Sequence, residues 1–261
     1  MMINFEKWHG NGNDFVLINS IENPLKITKT FIQKISNRNQ GIGFDQLIYI
    51  GLPTKGEYDF YVKFFNCDGS EAGMCLNGIR CAASYIWKNK FFPNSQINLQ
   101  TKFKSILCSP EDSNDVSVII DRPNELNNKV ISNKIQKKIG PDFFLSNIGN
   151  NHILIDMGSI KRTDLNDLYD NLKNIIKKES MNLSIFEITK NNLFQIRTYE
   201  NGVGETLSCG SAALCLANNF LEGKKKLKVK SHGGVLEFKN MDKYILMQGP
   251  SEFIYQGNII E

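Results

Sequence analysis

Cys75 and Cys209 occupy matching points of an internal repeat. The first follows Asn66-Cys67-Asp68-Gly69-Ser70-Glu71-Ala72-Gly73-Met74, and the second follows Glu200-Asn201-Gly202-Val203-Gly204-Glu205-Thr206-Leu207-Ser208. Each has a Glu four residues before it (Glu71, Glu205) and another Cys six residues after it (Cys81, Cys215). A cysteine at the start of a helix meets the positive end of the macrodipole and backbone N–H groups without intrahelical partners. That environment favours the thiolate, and the same N–H groups make an anion site. Two such helices facing one cleft would hold a carboxylate and set a thiol on each side of the adjacent carbon. In an α-amino acid that is the α-carbon. Its inversion needs a proton removed from one face and returned to the other, which a thiolate and a thiol can share.

The elements that must position these thiols repeat as well. Each loop follows a strand-like stretch (62–65, 194–199) and precedes a mostly apolar helical run (76–88, 211–221). In the first half, a strand leads into the loop Gly10-Asn11-Gly12-Asn13, a helix follows at about 29–37, and Gly41-Ile42-Gly43-Phe44-Asp45-Gln46 opens another strand. In the second half, 143–148 is apolar, Gly149-Asn150-Asn151-His152 is a polar loop, 153–155 is a strand and 165–178 a helix. Two copies make a duplication rather than a solenoid. The expected fold is α/β, with two pseudo-two-fold-related lobes, each a curled β-sheet around a buried central helix. The N-terminal lobe is expected over residues 1–121 and the C-terminal lobe over 122–249, with a last strand at 250–261 returning to the first.

Bulk properties narrow the function. The net charge is +4, but only five of the 31 basic residues are Arg, and no basic stripe with interleaved aromatics is present. Nucleic-acid binding is not expected. No run approaches the roughly 20 apolar residues that span a bilayer, and the N-terminus reads as a strand rather than a signal peptide. Six cysteines with no CxxC pair, and three widely spaced His, argue against a disulfide framework or a zinc site. A cytoplasmic protein with no metal and no cofactor is expected, since no distinctive nucleotide-binding motif occurs. Cys67, Cys81, Cys108 and Cys215 read as buried small apolar residues. Glu71 and Glu205 read as loop organisers accepting backbone N–H bonds.

Six motifs in order, spanning nearly the whole chain, resemble the diaminopimelate epimerase family, cofactor-independent enzymes of bacterial lysine and cell-wall synthesis. They are His9-Gly-Asn-Gly-Asn13-Asp-Phe15, Gly41-Ile-Gly-Phe-Asp45-Gln46, Asn66-x-Asp-Gly-Ser-Glu71, Cys75-x-Asn77-Gly78-x-Arg80-Cys81, Gly149-Asn150-x-His152 and Glu200-x-Gly-x-Gly-Glu-Thr-x-x-Cys209-Gly-Ser211. The resemblance implies catalysis by Cys75 and Cys209, with His152 and Glu200 acting near the reacting ammonium. It implies that the backbones of Leu76, Asn77, Gly210 and Ser211 bind the reacting carboxylate. Asn13, Gln46, Asn66, Asn150 and Asn182 would line the pocket for a small-molecule amino-acid substrate, and a homodimer rests on the resemblance alone. Four positions depart from the family pattern: Leu76 and Ala212 replace Gly, Asn151 replaces Pro, and Asn201 replaces an Arg expected to hold the far carboxylate. Asn201 and Leu76 keep open the same chemistry on another α-amino acid. A thiol redox protein and a weakly active amino-acid-binding paralogue are the further alternatives.

Overall fold

The computed structural model describes residues 2–21, 25–189 and 193–260. The chain divides into two compact units, one running to Ile120 and resuming at Gln248, the other covering Asp121–Met247. The opening strand is described from Met2, so Met1 lies outside the described residues.

The first unit contains β1 (Met2–Gly10), β2 (Asn13–Asn19), β3 (Gln46–Gly51), β4 (Phe60–Asn66), β5 (Glu71–Ala72), β6 (Ile97–Gln100), β7 (Ser105–Pro110) and β8 (Asp115–Asp121). Helix α1 (Lys29–Ser36) links β2 to β3, which lie parallel. Thr28 caps α1 by accepting the Phe31 N–H at 3.2 Å, and Phe31, Ile32 and Ile35 face the core. Helix α2 (Leu76–Lys88) follows β5 and touches β1, β2, β3, β4, β6 and β7, so the sheet curls around it. Gly78 lets this contact close: a Cβ there would lie 2.6 Å from Phe64 Cε1. Phe15, Val16, Leu17 and Ile18 of β2 are all fully buried, as suits a strand covered on both faces.

The second unit contains β9 (Asn124–Glu125), β10 (Phe143–Asn147), β11 (Asn151–Asp156), β12 (Met181–Ile188), β13 (Leu193–Glu200), β14 (Gly204–Thr206), β15 (Lys226–Ser231) and β16 (Gly234–Met241), with β17 (Tyr244–Pro250) crossing the boundary. Helix α3 (Lys129–Ile139) precedes β10. Helix α4 (Leu165–Lys178) joins β11 to β12, again a parallel pair. Helix α5 (Gly210–Phe220) buries an almost unbroken run from Ala212 to Ala217. The pairings repeat in order. β2–β3 parallel, β3–β4 antiparallel, β4–β5 antiparallel and β4–β6 parallel correspond to β11–β12, β12–β13, β13–β14 and β13–β15. Finally β18 (Glu252–Ile260) pairs antiparallel with β1, Ile3 opposite Ile259 and Trp8 opposite Phe253.

Candidate functional site

In the first unit the chain leaves β4, turns through Gly69 (φ +81°), passes β5 and reaches Cys75, the N-cap of α2. The Ile79 N–H donates to the Cys75 carbonyl at 2.8 Å, while the Cys75 side chain makes no capping bond. The half-buried thiol donates instead to Asn13 Oδ1 at 3.4 Å. Asn77 Nδ2 meets the same oxygen at 3.5 Å, and the Asn77 carbonyl oxygen Oδ1 accepts from Arg80 Nη2 at 2.9 Å. Asn13 Nδ2 donates to Asp45 Oδ2 at 2.8 Å. Gln46 and Asn66 are register partners on β3 and β4, and Gln46 Nε2 donates to Asn66 Oδ1 at 3.0 Å. Gln46 Oε1 is buried without a hydrogen-bond partner. Leu76 is 4% exposed, so its bulk is packed inside the protein.

Charges surround the Asn13 loop. Arg38 grips Asp14 through two nitrogens at 3.0 and 2.7 Å and reaches Asp45 at 2.8 Å, while Lys7 bonds Asp14 at 2.6 Å. Partial burial by itself would raise the Asp14 pKa, but the hydrogen bonds and charges of Arg38 and Lys7 outweigh it and hold the carboxyl at about 2. Asp45 is shifted upward, chiefly by burial and further by the Asp14 charge, against the Asn13 hydrogen bond.

In the second unit Cys209 is the N-cap of α5, again without a side-chain capping bond, and is 8% exposed. Its sulfur lies 3.4 Å from Ser211 Oγ, which accepts from Asn150 Nδ2 at 3.4 Å. His152 and Asn182 are register partners on β11 and β12. Asn182 Oδ1 accepts the Asn201 backbone N–H at 2.9 Å, and Glu200 Oε1 accepts from Thr206 Oγ1 at 2.7 Å. His152 is fully buried and neither ring nitrogen has a hydrogen-bond partner. Burial alone lowers its pKa to about 4, so the imidazole is neutral at pH 7.

Three expectations need correcting. Cys67 is exposed, its sulfur beside the carbonyl oxygens of Phe44 and Asp45, because the turn after β4 carries it out of the sheet. Glu205 is held by a bidentate ion pair with Arg197 at 2.7 and 2.9 Å, and Glu71 lies 3.8 Å from Lys102. Both glutamates sit on short strands and take side-chain cations as partners. Cys81, Cys108 and Cys215 are core residues; burial pushes the Cys81 and Cys215 thiols up to about 12. Arg80 and Asp45 lie inside motifs, but sequence reading gave them no role. The available signal was a lone charge inside a helix whose other charge, Lys88, is its last residue, and Arg80 is indeed fully buried. Among the described residues no group of three His, Cys, Asp or Glu is placed to hold a metal, and no helix is long and apolar enough to cross a membrane.

Sequence comparisons point to one family, and solved structures share the fold. The family model described as diaminopimelate epimerase matches residues 5–124. The diaminopimelate epimerase of Wigglesworthia glossinidia brevipalpis is 35% identical, covering 98% of this chain and 99% of the relative. That of Buchnera aphidicola subsp. Acyrthosiphon pisum (strain 5A) is 34% identical, covering 98% and 96%. Among solved structures, a phenazine biosynthesis protein of the PhzF family from Enterococcus faecalis shares the fold at a TM-score of 0.73 and 12% identity, covering all of both chains. A hydroxyproline epimerase from Agrobacterium vitis does so at 0.69 and 11%, covering 99% of this chain and 91% of its own. With identities of 34% and 35% over nearly the whole of both chains, this chain belongs to the diaminopimelate epimerase family of isomerases.

Proposed function

We propose that this enzyme epimerises LL-diaminopimelate to the meso form with Cys75 and Cys209 as the proton-transferring pair. The observation that carries the reading is the twofold occurrence of one local device: a cysteine as N-cap of a buried helix, its side chain uncommitted to capping. The α-C–H of an amino acid is a very weak acid, so carboxylate charge must be stabilised as the proton leaves. First-turn N–H groups at Leu76, Asn77, Gly210 and Ser211 suit that task, being preorganised and aligned with the helix dipole. One thiolate removes the proton, and the thiol on the opposite face returns one. The unpartnered buried atoms Gln46 Oε1, His152 Nδ1 and His152 Nε2 supply hydrogen-bonding capacity that a polar substrate would satisfy. Glu200 and neutral His152 act near the ammonium in this reading, while Asn13, Asn66, Asn150 and Asn182 line the pocket.

Asn201 favours a second reading, the same chemistry on another α-amino acid. An Arg–carboxylate contact contributes about 1.5–3 kcal/mol, roughly one to two orders of magnitude in binding. The test is α-proton exchange in D₂O, with reductant, on LL- and meso-diaminopimelate, lysine, glutamate and histidine. Loss of the α-proton signal confined to diaminopimelate supports the first reading. Exchange on another amino acid alone overturns it in favour of the second. No exchange on any of them overturns both.

A further inference from the structure

Two side-chain amides stand in series beside Cys75, and a residue of fixed hydrogen-bonding sense terminates each end. A guanidinium only donates and a carboxylate only accepts. At one end Arg80 donates to Asn77 Oδ1 at 2.9 Å, which turns Asn77 Nδ2 toward Asn13 Oδ1 at 3.5 Å. At the other end Asp45 accepts from Asn13 Nδ2 at 2.8 Å, which turns Asn13 Oδ1 away from the carboxylate. Both ends dictate the same sense, so Asn13 presents its oxygen, not its N–H, to the Cys75 sulfur at 3.4 Å. Asp45 is itself anchored, accepting from Arg38 Nη2 at 2.8 Å and from the Asp14 N–H at 3.1 Å.

We propose that Asp45 is a positioning residue for Cys75: by locking the Asn13 amide it holds an acceptor against the sulfur, so the free enzyme is weighted toward the form in which Cys75 carries the proton. An acceptor at the sulfur can be satisfied only by S–H, whereas a reversed amide would donate to a thiolate. Arg80 and Cys81 on α2 are also electrostatically coupled to this sulfur. Asp45 is linked to it through Asn13. The consequence for catalysis rests on the two-thiol reading, but the protonation preference does not.

The test compares Asp45→Ala, which removes the acceptor, with Asp45→Asn, which removes the charge and keeps one. In the Asn variant the side-chain oxygen remains toward the two N–H donors, Asn13 Nδ2 and Asp14 N. Substrate-free enzyme is alkylated with iodoacetamide across pH 5.5–10, and the Cys75 and Cys209 peptides are quantified by mass spectrometry. In Asp45→Ala the midpoint of Cys75 alkylation is expected to fall by about one pH unit, raising the rate at pH 7.5 about fivefold. In Asp45→Asn it stays near wild type, and Cys209 holds its profile in both variants. An unmoved Cys75 midpoint in Asp45→Ala overturns the proposal. So does an equal shift in Asp45→Asn, which would make the effect one of charge, or a parallel shift at Cys209, which would make it general loosening. If the wild type exchanges no amino-acid α-proton, the two-thiol reading fails, yet the alkylation profiles still decide the role of Asp45.

Discussion

The His152 imidazole is fully buried with both ring nitrogens unpartnered, and burial brings its pKa down to about 4 from an ordinary 6.5. As pH falls from 6.5 toward 4, the unfolded chain binds a proton that the native protein refuses, so native stability is complete above 6.5 and lost on acidification. The loss is of order 3 kcal/mol across that window. His152→Gln should flatten the dependence of urea midpoint on pH between 4 and 6.5; an unchanged slope would place the acid sensitivity elsewhere. For the thiols, Cys75→Ser and Cys209→Ser should each cut epimerisation by about 10²–10⁴-fold, the usual contribution of a positioned acid or base. Near-wild-type turnover in either variant sinks the two-base scheme. Asn201→Arg should tighten diaminopimelate binding by roughly 10- to 100-fold in a calorimetric Kd, and an unchanged Kd would remove the reason to favour another substrate.

At the scale of elements, α2 is held at close quarters by Gly78, whose added Cβ would lie 2.6 Å from Phe64, 3.2 Å from Ile48 and 3.2 Å from Phe15. Ala is intrinsically better in a helix by about 1 kcal/mol, but overlap with three buried side chains costs more. Gly78→Ala should lower unfolding free energy by about 1–2 kcal/mol net, read from denaturant melts. Most of these elements were legible in the chain. The helices expected over 76–88 and 165–178 are α2 and α4 to the residue, because apolar spacing marks both and Asp164 caps α4. Helix α3 escaped notice: Ile131, Ile135 and Ile139 have helical spacing, but Lys and Asn separate them and only Ile135 is buried. Cys67 went astray for a related reason. Residue type points to the core, while the Asp68-Gly69 turn beside it decides exposure. The Asn13–Asp45 contact joins loops far apart in sequence, which no local pattern reports.

At the scale of the whole molecule, β1 is paired on both sides, with β2 early in the chain and with β18 at its far end. Trp8 and Phe253 meet edge to face with ring centroids 5.6 Å apart, and Phe5 and Tyr255 do so at 6.0 Å. Deleting 248–261 should therefore expose Phe5 and Trp8 and drive the protein into the insoluble fraction. If that deletion stays soluble with β1 amides still protected from hydrogen exchange, β18 is dispensable. The same pairing bears on synthesis. Non-local strand pairing is slow because the chain must close a long loop before the contact rewards it. During translation β1 emerges before the whole second unit, and its outer partner β18 only after it. The second unit, with all its pairing partners already in hand, can mature while the first still waits. On a ribosome the unit begun first is completed after the second, and in that interval the edge of β1 that β18 will cover stands open to pairing with other chains.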